Sequence, residues 1–184
     1  MTRPLRADAA RNRARVLEVA YETFAAEGLA VPIDEIARRA GVGAGTVYRH
    51  FPTKEDLFRA VVDDRIRGII TWGRALLDEG APGDALFTFL RTLVLKWGAT
   101  DRGMSEALAG AGVAVEPGVP EVEDEFLAML AELLRAGQDA GTVRGEIGVP
   151  EVKALLVGLQ AMQGYNSQAA TRVIDVVLDG LRAS

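Results

Sequence analysis

The 184-residue chain contains no cysteine and a single histidine, His50. The first absence excludes disulfides and thiolate metal sites, and it suits a cytoplasmic protein. The second excludes a histidine metal cluster and any triad that needs another imidazole. Serine is sparse too: Ser105, Ser167 and Ser184 lie far along the chain from His50, so nothing points to Ser–His catalysis. No stretch approaches the run of about 18 uncharged apolar residues that a membrane span needs. The opening "MTRPLRADAARNR" is basic and polar, with no apolar run behind it to serve as a signal peptide. Lysine is scarce, 3 against 18 arginines, a bias that reads as GC-rich coding rather than chemistry. The expectation is a cytoplasmic protein with no catalytic residue, no metal, no cofactor and no membrane partner.

What is present is apolar residue, 49% of the chain, enough for a real core in one domain or two small ones. The net charge of −5 is unevenly placed. Residues 1–54 hold nine Lys/Arg against six Asp/Glu, whereas residues 55–184 hold twelve against twenty. A basic head on an acidic body is the asymmetry expected when only the head meets a polyanion.

Helical spacing dominates throughout. From Asp8, read as an N-cap, Val16, Leu17, Ala20, Tyr21 and Phe24 recur at three and four residues until Gly28 ends the helix. Pro32 opens a short helix with Ile33, Ile36, Ala37 and Ala40 on one face. After Gly41-Val42-Gly43, a third helix spans about Ala44 to Phe51. Thr53-x-x-Asp56 reads as a capping box for a long helix starting at Lys54. Further periodic stretches follow "GAPGD" (Leu86, Phe87, Leu90, Val94, Trp97), around Phe126–Leu133, from Pro150, and over Val173–Leu181. A looser stretch between Trp97 and Phe126 holds one short helical candidate near Met104–Leu108. The run "EVEDE" at 121–125 reads as a helix start satisfying its dipole. "GTVRGEIGV" is the one candidate extended piece. The expected fold is all-α, about nine helices, with a three-helix head at 1–53 and a helical bundle at 54–184.

The segment "GVGAGTVYRHFPTK" sets three glycines against a dense row of donors. A phosphate-cradling loop follows a strand, but the residues before Gly41 are helical, and the spacing misses both G-x-G-x-x-G and the P-loop. A helix-turn-helix fits instead. Val47 and Phe51 share one face of the third helix and can pack on Ile36 and Ala40, while Ala44, Thr46, Arg49 and His50 point away, with Tyr48 at the edge. Ala44 and Gly45 permit close approach to base edges; Thr46, Arg49 and His50 can reach bases or phosphates, Arg on guanine being the commonest specific contact. Lys54 sits at the positive end of a helix dipole, unfavourable by a few tenths of a kcal/mol unless a phosphate docks there.

Residues 11–58, centred on "IDEIARRAGVGAGTVYRHFPTKEDLF", resemble the N-terminal domain of TetR-type bacterial transcriptional regulators. The resemblance is carried by Phe24 and Gly28, Ile36-Ala37, Ala40-Gly41-Val42, Gly45-Thr46-x-Tyr48-x-His50-Phe51, and Lys54 with Leu57. It implies that Thr46, Tyr48 and His50 contact operator DNA, Tyr48 and Lys54 chiefly through phosphates, and that positions 44 and 45 face bases. Ala44 stands where many relatives carry a longer polar side chain.

Beyond the head, Trp72, Phe87, Trp97, Met104, Met129 and Met162 each read singly as core. Together they suggest an apolar cavity, with Gln160, Gln163 and Tyr165 as polar anchors. The effector-site expectation is therefore Trp72, Phe87, Trp97, Met104, Met129 and Gln163. The last two helices carry wide apolar arcs, and the resemblance favours a four-helix dimer interface there, at Leu155, Leu159, Met162, Val173, Val177 and Leu181. The reading is a homodimeric, ligand-responsive repressor that a small, largely apolar effector releases from a palindromic double-stranded operator. The alternative is a small-molecule-binding or enzymatic helical bundle with a vestigial DNA-binding head.

Overall fold

The computed structural model describes residues 3–78, 80–97 and 120–183, and the side chains of 8–78, 80–96 and 121–183. Eight α-helices lie among the described residues: α1 (Arg3–Glu27), α2 (Ile33–Ala40), α3 (Ala44–His50), α4 (Lys54–Asp78), α5 (Ala85–Thr92), α6 (Pro120–Asp139), α7 (Val149–Tyr165) and α8 (Ser167–Leu181). The candidate helix at Met104–Leu108 falls outside the described residues. A 3-10 turn, Pro82–Asp84, precedes α5, and a π-helical turn, Leu93–Trp97, continues it. "GTVRGEIGV" forms turns with one isolated antiparallel bridge, Val143 to Arg182, rather than a strand. No described helix is long and apolar enough to cross a membrane.

The described residues form two compact units that part between Arg65 and Ile66, inside α4. The first unit thus keeps three turns of α4 beyond the boundary at 53/54 that the sequence suggests. Its core is Val16, Leu17, Ala20 and Phe24 of α1, Ile33, Ile36, Ala37 and Ala40 of α2, Val47 and Phe51, and Leu57, Phe58 and Val61 of α4. Phe24 and Phe58 meet at 5.8 Å between ring centroids, and each such fully buried side chain contributes about 1.5–3 kcal/mol.

Local chemistry sets the corners of this unit. Gly41 adopts φ 70°, a left-handed conformation that a side chain would strain. The amides of Gly41 and Val42 then close back onto the carbonyls of Arg38 (3.2 Å) and Ala37 (3.0 Å), ending α2 in a Schellman motif. The expected capping box is present: the Asp56 amide donates to Thr53 Oγ1 at 3.1 Å, and the Thr53 amide donates to Asp56 Oδ2 at 3.2 Å. Asp8 is not the N-cap of α1. The helix already begins at Arg3, and Asp8 is ion-paired to Arg11 one turn on.

The second unit packs α5, α6, α7 and α8 with the lower half of α4. Leu86, Phe89, Leu90, Val94, Met129, Leu130, Leu133, Val152 and Ile174 are all buried in its core. Close packing here depends on Gly73, since a Cβ at that position would stand 2.6 Å from Met129 Sδ. Two ion pairs join α4 to α6 two helical turns apart: Arg67 with Glu125 at 3.2 Å and Arg74 with Glu132 at 3.0 Å. The C-terminus of α8 is tied in through Arg182, whose guanidinium lies 4.3 Å from the centre of the Phe87 ring.

Candidate functional site

Helix α3 is seven residues long and buries one of them, Val47. Phe51, its C-cap, is buried as well and donates its amide to the Val47 carbonyl at 2.8 Å. Everything that anchors α3 therefore lies on one thin seam. Gly45, Tyr48, Arg49 and His50 are exposed and Ala44 and Thr46 half-buried, so donors and small residues form the outer surface. Tyr48 is 45% exposed, a large aromatic ring left in water beside two cationic or polar side chains. The six residues named on α3 from sequence share this face or its edge.

Gly45 is informative because its conformation is ordinary and a Cβ there would meet nothing within 4 Å. Glycine within a helix is destabilising by roughly 0.5–1 kcal/mol relative to alanine, and the fold gives no reason for it. Bare backbone at the start of the outer face is what close approach by an external surface requires.

Helix α1 braces this element. The Arg15 guanidinium donates to the Ala40 carbonyl at 3.0 Å, at the end of α2, and Arg13 lies 5.7 Å from the centre of the Phe51 ring, at the end of α3. Two of the nine cations of the head thus hold the corner itself. Two more are tied up by carboxylates: Arg38 donates to Glu35 at 2.7 and 2.8 Å, and Arg39 donates to both Glu35 and Glu27. Hydrogen bonds from Arg38 and then Arg39 hold the Glu35 carboxyl down to about 2, well below its ordinary range.

Lys54 differs from its sequence reading. Its ammonium donates to the Leu29 carbonyl at 2.9 Å and reaches that of Ala30 at 3.5 Å, in the loop between α1 and α2. A cation in the first turn of α4 therefore has an intramolecular reason, namely carbonyls left over where α1 ends. Contact with a phosphate is not needed to explain it.

In the second unit the described residues expected around an effector divide: Trp72 and Met129 meet at Phe89, and Phe87 faces elsewhere. Trp72 stacks on Phe89 at 5.4 Å, and Met129 packs beside Phe89 against Gly73. Phe87 lies two residues from Phe89 on α5, about 200° round the helix, and faces Arg182 instead. Phe87 and Met129 are packed core residues, 5% and 0% exposed. Gln163 is buried on α7. The Trp97 side chain and Met104 lie outside the described residues. Phe89, which joins Trp72, Met129 and Phe126 into one cluster, was missed; its spacing from Trp72 and Phe126 carries no local signal.

The partner-facing expectation needs one correction. Leu181 is 3% exposed and continues the inner stripe Ala170–Ile174–Leu178 of α8, so it belongs to this chain's own core. Leu155, Leu159, Met162 and Val177 do come together, lining an open apolar groove with Ile147, Ala154, Gly158 and Glu151; Leu159 forms part of it while being 3% exposed. Val173, at 36% exposure, stands on an outer stripe with Val176, at 71%. Val176 was overlooked, although its spacing from Val173 and Gly180 marks a second stripe one residue out of phase with the buried one. Gly158 and Gly180 on this surface would also meet nothing within 4 Å if given a Cβ. Among the described residues, no cluster of three or more His, Asp or Glu side chains could hold a metal ion.

Comparison with known proteins adds the following. Residues 16–61 match the family model described as "Bacterial regulatory proteins, tetR family", and residues 81–183 match that of the "Transcriptional regulator SbtR-like, C-terminal domain". The chain is 57% identical to a TetR transcription regulatory protein from Mycobacterium vanbaalenii, over 98% of this chain and 100% of that one, with a TM-score of 0.82. A TetR transcriptional regulator from Streptomyces coelicolor is 33% identical over 94% of this chain and 99% of its own, with a TM-score of 0.76. An HTH-type transcriptional regulator of Staphylococcus aureus is 37% identical over 76 residues, a match that spans 41% of this chain and 41% of that relative. With the head matched at 16–61 and the bundle at 81–183, the chain belongs to the TetR family of DNA-binding transcriptional regulators.

Proposed function

We propose that this regulator is a homodimeric repressor that reads a palindromic operator with α3 and is released by a small, largely apolar effector held in the second unit. The observation that carries the reading is the outer face of α3. Val47 is its sole buried residue, its donors Thr46, Tyr48, Arg49 and His50 are free of the core, and Gly45 leaves backbone bare where nothing in the fold demands it. Arg49 and His50 supply base or phosphate contacts, Ala44 and Gly45 closeness to base edges, and Tyr48 a phosphate contact. Lys54 holds the loop after α1 with two of its three ammonium N–H donors and keeps the third for a phosphate. The acidic remainder of the chain repels DNA and so favours presentation of the head, the expected arrangement for a cytoplasmic DNA binder.

One such helix makes few contacts, and doubling them across a two-fold axis gives the specificity a repressor needs. The apolar outer stripe of α8 with the groove against α7 is the surface for the second copy, forming a four-helix contact of the kind expected from the sequence. An effector switches such a dimer only by binding the released form better than the DNA-bound form, so operator DNA must weaken effector binding by the same factor.

The test is selection of full-length protein on random duplex DNA. An inverted repeat should emerge, with half-sites about one helical turn, roughly 34–36 Å, or a multiple of it apart. Recovery of no enriched sequence, or of a single unrepeated half-site, would overturn the reading.

A further inference from the structure

Helix α7 presents one line of residues to the core: Val152, Leu156, Leu159 and Gln163, spaced by four, three and four. Three are aliphatic, as the helical period demands. The fourth is an amide, 9% exposed, whose Oε1 is enclosed without a hydrogen-bond donor. Among the described residues of the second unit it is the one buried polar side chain. An enclosed acceptor with no donor destabilises a fold, and native structures leave few of them. A leucine would complete the line without that penalty, so the glutamine serves something other than folding.

Two further observations bear on what it serves. The same helix packs against the π-helical turn Leu93–Trp97, and such turns recur at functional sites. The buried residues of this unit include no charged group among those described, so these residues offer nothing to neutralise an ion. A lone acceptor in an otherwise apolar buried line is the arrangement by which a small-molecule site orients an otherwise apolar guest.

We infer that Gln163 is the polar anchor of the effector site, and that the effector is a neutral molecule with an apolar body and a hydroxyl or N–H that donates to Gln163 Oε1. The inference rests on the reading of the second unit as effector-binding and adds the chemistry of the guest. Among the described buried residues a charged ligand would meet no counter-charge, and a pure hydrocarbon would leave the acceptor as it is.

The experiment uses the full-length protein, the near-isosteric Gln163→Leu variant, and primary alcohols from hexanol to dodecanol beside their methyl ethers. Without any probe, Gln163→Leu should melt above the wild type, because it removes an unpaired acceptor. At least one alcohol should raise the wild-type melting temperature and release operator DNA at a concentration about tenfold below its ether. In Gln163→Leu that preference should vanish while operator affinity without probe is unchanged. A variant that melts at or below the wild type shows that the amide already has a partner, such as a buried water, and overturns the proposal. So does a series in which alcohols and ethers act alike or neither acts. If ethers release the operator as well as alcohols do, the regulator reading stands and this one falls. If the wild type binds no operator, the regulator reading falls, while the melting comparison still judges Gln163.

Discussion

The outer faces of α3 and α8 both lie opposite buried stripes, yet their chemistry is opposite. On α3, Val47 goes inward and Thr46, Tyr48, Arg49 and His50 stay out, so polarity alone separates the folding residues from the rest. On α8, Ile174 and Leu178 go inward and Val173 and Val176 stay out, all four of them β-branched or aliphatic. A polar outer face needs no cover in water. An apolar one, continuous with a groove lined by Leu155, Met162 and Val177, is stable only when something covers it. On the proposed function, the difference teaches that polarity marks the DNA-facing surface, whereas the interface between like subunits is written in the residues that write the core.

The strongest test of that comparison is Val176→Glu. Val176 is 71% exposed, so the substitution should leave the isolated chain folded. Placed against a second copy, the carboxylate would be desolvated without a partner, and self-association should weaken by roughly a hundredfold, about 2.7 kcal/mol. Sedimentation should show monomer, circular dichroism an unchanged helix content, and band shifts a lost operator complex. A Val176→Glu protein that remains dimeric moves the interface elsewhere. Leu159 and Leu181 are poor probes of the same idea, because a glutamate at either would disrupt the core first.

How much of this was legible in the sequence follows from the same distinction. The helix-turn-helix could be read because its signals are local: Gly41 at the corner, Thr53-x-x-Asp56 at the next helix start, and Val47 with Phe51 at a spacing of four. Lys54 could not, because the Leu29 and Ala30 carbonyls that hold it lie 25 and 24 residues away, and only the tertiary fold brings them near. Leu181 reads outward from sequence because inner and outer stripes of α8 are both apolar, and one residue of phase decides between them. Phe87 and Phe89 were indistinguishable for the same reason. Gln163 is read from sequence together with Gln160 and Tyr165, and only the fold separates them, burying Gln163 and leaving Tyr165 93% exposed.

The next test sets two cations of the head against each other. Arg49 is exposed on the outer face of α3, so Arg49→Ala should leave stability untouched and cost roughly 1–3 kcal/mol on the operator alone if the guanidinium reads a base. Lys54→Ala removes charge-assisted hydrogen bonds to the loop after α1, so it should cost about 1.5–3 kcal/mol of folding stability. Any loss of DNA binding should then appear as a shallower salt dependence, by about one unit, on all sequences alike. Urea melts with binding titrations at several salt concentrations separate the two effects. An unchanged slope in the Lys54 variant would confine that residue to folding.

A smaller effect tests whether Gly45 is kept for DNA. Gly45→Ala adds a methyl group that meets nothing within 4 Å and favours the helix, so the free protein should gain about 0.5–1 kcal/mol. The same methyl group would stand between α3 and the base edges, so operator affinity should fall as stability rises. Melting curves and band shifts on one protein preparation give both signs. If stability and affinity rise together, the bare backbone at Gly45 is not an approach surface.

The smallest expected effect concerns the cations of the head that carboxylates already hold. Arg38 and Arg39 contribute to the positive balance of the head, yet Glu35 and Glu27 hold both, and the Glu35 carboxyl is lowered from 4.5 to about 2 by hydrogen bonds from Arg38 and then Arg39. A carboxylate whose pKa is lower in the folded state binds its proton more readily when unfolded. Its contribution to stability is therefore fully present above about pH 4.5, and it is lost progressively as the pH falls toward 2. Because the pair is partly open to solvent, salt screens it and the effect on stability is modest. Glu35→Gln should lower stability slightly at pH 7 and flatten the acid limb between pH 4.5 and 2, with the difference from wild type shrinking at high salt. It should also free Arg38, although Glu27 still holds Arg39, raising affinity for DNA of any sequence while leaving the preference for the operator over random DNA unchanged or lower. Melting temperatures across that pH range, with non-specific binding measured at low salt, provide the check. An acid limb in Glu35→Gln that still follows the wild type would show that Glu35 is not what makes the head acid-sensitive.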